Sequence, residues 1–395
     1  MPASAAILAN THIHLPPNFS AFTTVADTVD TAAEEGIAVL GVSNYYDFTC
    51  YAEFDRRAEA AGILPLHGLE IISLDTELQA AGTKVNDPGN PGRFYLCGKG
   101  IARYAPLDPD AAAGIDWIRA SDTARMAEMA QRMEHAFAAA GTATGLDAEA
   151  IRAEVARSAG ADPATVVLQE RHIARAFEQA LRAAVPAEAF ADAVSAVCGA
   201  PVAATDPAGV QNALRSHLKK AGKPAYAPER FVDFPTAYGV ILALGGIPSY
   251  PTLVDGANPI CPFEADLDVL VAELRARGIH AAELIPIRNT PEVLARTVHA
   301  FRAAGLIVTA GTEHNTPDRI PLAPRCAGGA PIPDDVQAIF LEGACVVAAH
   351  EELVRRGEDG YVLRDGTPNP AWPDAESRIA ALAALGALTI AAVAR

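Results

Sequence analysis

The sequence predicts an α/β barrel interrupted by an all-helical insertion. Three features lead there. Short apolar strands alternate with helices over residues 5–102, the alternation resumes after residue 235, and an alanine-rich stretch without strand signals lies between. Strands recurring after helices of about a dozen residues indicate βαβ units and a parallel sheet.

In order, AAILANTHIH (residues 5–14) reads as a strand, VADTVDTAAEEG as an amphipathic helix and IAVLGVSNY as the second strand. AEFDRRAEAAG is the next helix, with ILPLHGLEII and RFYLCGKG as the third and fourth strands. Gly36 and Gly62 supply the expected helix stops. From about Asp108 to Pro235 the segments SDTARMAEMAQRMEHAFAAAG, DAEAIRAEVARSAG, LQERHIARAFEQALRAAV, AEAFADAVSAVCG and GVQNALRSHLKKAG all read as helix. Beyond them come the helix TAYGVILALGG, the strand end IPSYP, the helix FEADLDVLVAELRARG and the strand IHAAELIPI. TPEVLARTVHAFRAAG and LIVTAGTEHN close the series, and Pro235 and Pro291 suit helix first turns. The division expected is therefore a discontinuous barrel of seven or eight strands, residues 1–105 and 236–395, around a helical insertion, residues 106–235.

With 50% hydrophobic and 20% charged side chains, 395 residues can bury a large core. The formal net charge of −17 argues against unaided binding to nucleic acid or an anionic membrane, since both are negative. A small anionic substrate held by a local positive spot or a metal remains compatible with it. Six scattered cysteines without a C-x-x-C pair read as buried hydrophobes in a reducing cytosol, hence a cytoplasmic protein. The first residues lack the basic stretch of a secretory leader. Ile379 to Ala394, 16 uncharged residues, is short for a bilayer span and is expected to be a packed terminal helix.

His12 and His14 end the first strand, and residues i and i+2 of a strand share a face. Both rings can point into the mouth at the C-terminal end of the strands, where barrel enzymes place their chemistry. Two imidazoles on one strand form a chelating pair for a divalent metal. Glu70 ends the apolar run LPLHGLE, where a carboxylate is costly unless paired or metal-bound. His67, three residues earlier, should face away. Glu313 and His314 follow the apolar LIVTA and Gly311; a regular strand sends one of two adjacent side chains inward, and Glu313 is favoured over His314 as ligand. Arg288, directly after AAELIPI, is placed to meet an anionic substrate. His135, His172, His217, His299 and His350 on helices, and His280 at a strand start, read as packing or surface residues. Lys219, Lys220 and Lys223 read as a solvated helix end.

Taken together, these segments resemble the PHP family (polymerase and histidinol phosphatase), a distorted seven-stranded β/α barrel of metal-dependent phosphoesterases. THIH is similar to the family's H-x-H motif, VLGVSNYYDF to its second-strand segment and GLEI to its glutamate motif. RFYLCGKG is similar to the apolar strand that follows, and GTEHN to the closing acidic motif. Within the insertion, RHIARAF and KPAYAP resemble segments of the subgroup that hydrolyses nucleotide and oligonucleotide phosphates.

The departures from that pattern are as informative. Asn44-Tyr45 stands where typical members carry Asp-His, Tyr95 where they carry histidine, and Tyr250-Pro251 where they carry His-Pro. Phe19, beside Asn18, replaces an aspartate, Glu313 replaces another, and Asn315 stands where histidine is common. Neutral phenol is a poor metal ligand but a good hydrogen-bond partner for an oxyanion. The resemblance thus implies a hydrolase using one divalent ion (Zn, Mn or Fe) held by His12, His14, Glu70 and Glu313 or His314. Arg288, Tyr45, Tyr95 and Tyr250 would position the substrate, and phosphate-ester hydrolysis is implied by the resemblance alone. The alternative is a degenerate barrel that binds a ligand without turnover.

Overall fold

Strands β1 (Leu8–Ile13), β2 (Ile37–Val42), β3 (Leu64–Leu74), β4 (Arg93–Lys99), β5 (Val232–Asp233), β6 (Ile247–Thr252), β7 (Ala281–Leu284) and β8 (Ile307–Ala310) form one curved sheet. The computed structural model describes residues 7–393, so residues 5 and 6 of the expected first strand and Ala394 of the expected last helix lie outside it. The order is β1-β2-β3-β4-β6-β7-β8, with β5 beside β3. The barrel is nearly closed. Its seam is a short backbone stitch in which Thr312 N and Glu313 N donate to His12 O at 3.0 and 2.8 Å, and His14 N donates to Glu313 O at 2.8 Å.

The sheet is not all parallel. β4 runs antiparallel to both β3 and β6, pairing Gly68 with Lys99 at one end and Leu74 with Arg93 at the other. A parallel crossover needs a dozen or more residues, normally including a helix long enough to return along the sheet. Between β3 and β4 there is only a five-residue helix, so the chain folds back instead. β5 is a second departure, a two-residue strand inside the stretch where no strand was expected.

The helices are α1 (Val25–Glu34), α2 (Tyr51–Ala60), α3 (Thr76–Ala80), α4 (Pro109–Ala139), α5 (Ala148–Ala159), α6 (Glu170–Ala184), α7 (Phe190–Cys198), α8 (Pro207–Leu214), α9 (Phe234–Ala243), α10 (Leu267–Ala276), α11 (Pro291–Ala303), α12 (Asp334–Arg355) and α13 (Ala375–Val393). Pro235 and Pro291 lie in the first turns of α9 and α11, which are also capped by the side chains of Asp233 and Thr290. Helices α4 to α8 enclose a core of their own, from Met126 to Ala227, separate from the barrel core. One element belongs to both. The first half of α4 buries Ala111, Ile115 and Ile118 in the barrel core, and its second half buries Met126, Met129, Met133 and Phe137 in the insertion.

α13 lies along α12, with Ile379, Leu382 and Ile390 buried. Gly386 permits the approach: a Cβ there would sit 1.8 Å from Cys345 O. The outer face stays in solvent, with Leu388 69% exposed. By length and composition this helix could cross a membrane.

His67 faces away from the barrel mouth, as its spacing from Glu70 requires. Its Nδ1 meets Glu351 Oε1 at 2.6 Å, its Nε2 faces Asp55 Oδ1 at 2.8 Å, and Arg355 also donates to Glu351. This cluster ties β3 to α2 and α12. Burial opposes charge on His67, but the two carboxylates outweigh it and raise its pKa. Such a group stabilises fully below its unfolded pKa of about 6.5, and that stability is lost as pH rises through the folded value. Between pH 6.5 and 9 the thermal midpoint should fall about 2 °C further in the wild type than in Glu351→Gln. Equal falls in a thermal scan would remove this role.

Candidate metal centre

β1 brings His12 and His14 to the C-terminal mouth, and β3 brings Glu70 beneath them. His12 Nε2, His14 Nε2 and Glu70 Oε2 form a near-equilateral triangle with sides of 3.3, 3.4 and 3.5 Å. Donors about 2.0–2.1 Å from a tetrahedrally held ion lie about 3.3–3.4 Å apart. The spacing therefore suits a shared cation better than hydrogen bonding, which prefers about 2.7–3.2 Å. All three side chains are buried, and among the described residues Glu70 Oε2 has no hydrogen-bond partner. A buried carboxylate oxygen left unpaired is costly, and a cation would remove that cost.

The chain orients these donors from behind. Glu283, on β7, faces His12 Nδ1 at 2.7 Å and is ion-paired with Lys99 from β4. A carboxylate accepting from Nδ1 leaves Nε2 free for a metal. Tyr45 donates its hydroxyl to Glu70 Oε1 at 3.0 Å and stacks on the His14 ring at 5.0 Å. Gly311 lets β1 approach at His12, since a Cβ there would lie 2.4 Å from His12 Cβ. Burial opposes charge on His12, but Glu283 lifts it to about 9; Glu283 itself falls to about 2 despite burial, because His12 and Lys99 face it. Binding of a cation at Nε2 therefore releases a proton.

Glu313 stands apart from this triangle. Both its oxygens are taken by Arg288, at 2.9 and 2.5 Å, and Asn315 donates to one of them. Glu313 and His314 have left-handed backbones, with φ of 60° and 54°, so the strand expectation for adjacent residues does not apply. His314 is turned away, its Nδ1 paired with Thr312 Oγ1 and its Nε2 with Ile320 O, each at 2.8 Å.

A cavity of about 350 Å³ is lined by His12, Glu70, Tyr45, Tyr95, Arg288 and Glu313. Tyr45 and Tyr95 also line a second cavity of about 490 Å³ that runs between the mouth and the insertion. Tyr250 does not share this position. It is fully buried, and its hydroxyl donates to Glu264 at 2.8 Å, in the core under the loop after β6. Unlike Tyr45 and Tyr95, Tyr250 therefore lines neither cavity, its phenol being turned inward to that carboxylate one loop away.

Other substituted positions have become structural. The Asn44 side chain both accepts from Leu15 N and donates to Leu15 O, clamping the loop after β1. Phe19 is buried against His172 of α6. Lys219, expected in solvent, is buried with its ammonium on Glu170 O, because the chain turns inward after α8. Sequence reasoning missed Glu283 and Lys99. The signal for Glu283 was present, since it lies inside the apolar run IHAAELIPI, the criterion that singled out Glu70.

No family model and no curated protein matches the chain. Among solved structures it is similar to a protein from Bifidobacterium adolescentis, provisionally described as a metal-dependent phosphoesterase. They share 18% identity over 86% of this chain and 96% of that one, with a TM-score of 0.56. It is also similar to an amidohydrolase from Chromobacterium violaceum, at 20% identity over 84% of this chain and 96% of that one, with a TM-score of 0.51. The likeness establishes the fold that the chain shares with these two proteins.

Proposed function

We propose that this chain is a cytoplasmic, metal-dependent hydrolase of the PHP type acting on a small anionic metabolite, phosphorylated or carboxylated. The observation that carries the reading is the buried triangle of His12, His14 and Glu70 with its unpartnered carboxylate oxygen. One divalent ion, Zn, Mn or Fe, suits that N/O donor set. When bound, such an ion polarises a substrate oxygen and acidifies a water. Glu283 and Lys99 fix the His12 ring, and Tyr45 holds Glu70 while lining the cavity. Arg288, at the mouth, offers a planar fork to a phosphate or carboxylate. Glu313 completes the donor set in this reading, which requires it to leave Arg288; His314 has no free nitrogen to do so. Six unpaired buried cysteines suit a reducing compartment, and the charge of −17 disfavours nucleic acid and membrane as partners.

Protein loaded in turn with Zn, Mn and Fe and assayed on phosphate monoesters and lactones should turn over at least one class. Arg288→Met should raise KM about tenfold, the loss of one charge-assisted contact. Full metal loading without turnover on any class favours the second reading, a ligand-binding barrel. The conversion of Asn44, Phe19 and Tyr250 to structural duty is the observation on its side.

A further inference from the structure

The larger cavity is cationic in a strongly acidic protein, and its charges do not cancel. Its acids are mostly spent: Arg93 pairs with Asp87 and Glu229, and Arg125 pairs with Glu170 and Glu229. Asp122 lies close to Arg125 and Tyr46. Lys220 and Arg230 also line it but are exposed, which leaves two half-buried guanidinium groups. Arg171, at the start of α6, and Arg215, at the turn that ends α8, both line the cavity. Among the described residues, neither group has a hydrogen-bonding or ionic partner, and Arg215 Nε is buried with its donor unused. Arg171 leans on the Phe19 ring, 6.0 Å from its centroid. Burial and the neighbouring Arg215 push Arg171 down to about 10, outweighing the more distant Asp318 and Glu170. Leaving such charges unpaired is costly, and arginine's planar fork matches phosphate and carboxylate.

We propose that Arg171 and Arg215 form an anion-binding subsite of the insertion that takes a second phosphate or carboxylate group of the substrate, away from the metal centre. The assignment to substrate rests on the hydrolase reading; the presence of the subsite does not. The two cavities share Tyr45, Asp87, Pro88, Tyr95 and Asn315 in their walls, so the subsite adjoins the cavity of the metal centre. The substrate class is then a metabolite with anionic groups at both ends, one at the reacting bond and one held by the insertion.

The test begins with inorganic sulfate, titrated calorimetrically into the full-length protein with its metal and after chelation. Sulfate should bind in both states, and the double variant Arg171→Met, Arg215→Met should bind at least tenfold more weakly. The double lysine variant should recover part of the affinity, showing that charge and not packing was lost. Equal affinity in the methionine variant, or binding that disappears on chelation, would overturn the subsite. The second arm is kinetic. With a doubly anionic ester the methionine variant should raise KM tenfold or more with kcat within threefold, while a singly anionic ester is unaffected. If free phosphate instead stimulates turnover of the singly anionic ester, and the variant loses that response, the site belongs to a free anion and the substrate assignment is wrong. If no ester is turned over, the hydrolase reading fails while the sulfate titration still decides the subsite.

Discussion

His12→Ala should purify with less than about 0.2 divalent ion per chain, against about one for the wild type. His12 supplies one corner of a triangle whose sides are all 3.3–3.5 Å, so its loss leaves two preformed donors, and the third, Glu313, is held by Arg288. Hydrolytic activity should fall by at least about a hundredfold, since the acidified water depends on the ion. Elemental analysis of protein exchanged into metal-free buffer gives the answer directly. Circular dichroism separates loss of metal from loss of fold. An unchanged metal load would place the ion elsewhere and dismantle the proposed centre. Glu70→Gln is the companion: the amide keeps the shape but weakens the donor, so binding should weaken without unfolding.

Glu283→Leu should cost about 3–5 kcal/mol of stability, because it strands the buried Lys99 ammonium without its counter-charge. Lys99→Met should be similarly harmful, since it leaves Glu283 with His12 alone. Combining the two removes both charges, and most of the lost stability should return. Urea unfolding of the four proteins closes the cycle, and additive losses would show that the two side chains do not depend on each other. The milder Glu283→Gln has a different signature. It keeps a hydrogen-bond acceptor for His12 Nδ1 and Lys99 but removes the charge, so metal affinity should drop about 10–100-fold and stability should fall less than in the leucine variant.

The strand–helix alternation, the paired histidines and the lone glutamate in an apolar run were legible in the residues because each depends on local periodicity or on the cost of burying a charge. The antiparallel course of β4 was not, since RFYLCGKG reads the same in either direction and only the short α3 connection decides. Tyr250 and Tyr45 show the same limit. Both are tyrosines near strand ends, yet one hydroxyl reaches Glu264 in the core and the other Glu70 at the mouth. Arg171 and Arg215 lie 44 positions apart by number, so no reading of spacing joins them. Tertiary folding of the insertion brings them to one cavity.

Helix α4 decides how the two parts of the chain could be separated. Its 31 residues are continuous, so the insertion is mounted on a rigid stem and not hung from a flexible tether. Excision at residues 106 and 235 would tear Ile115 and Ile118 out of the barrel core and remove β5 from the edge of β3. A barrel without these helices would have to keep α4 through Ile118 and resume by Val232. In the same way, a helical segment borrowed from another protein would have to be grafted in helical register onto that stump, at 3.6 residues per turn, or it would face away from the mouth.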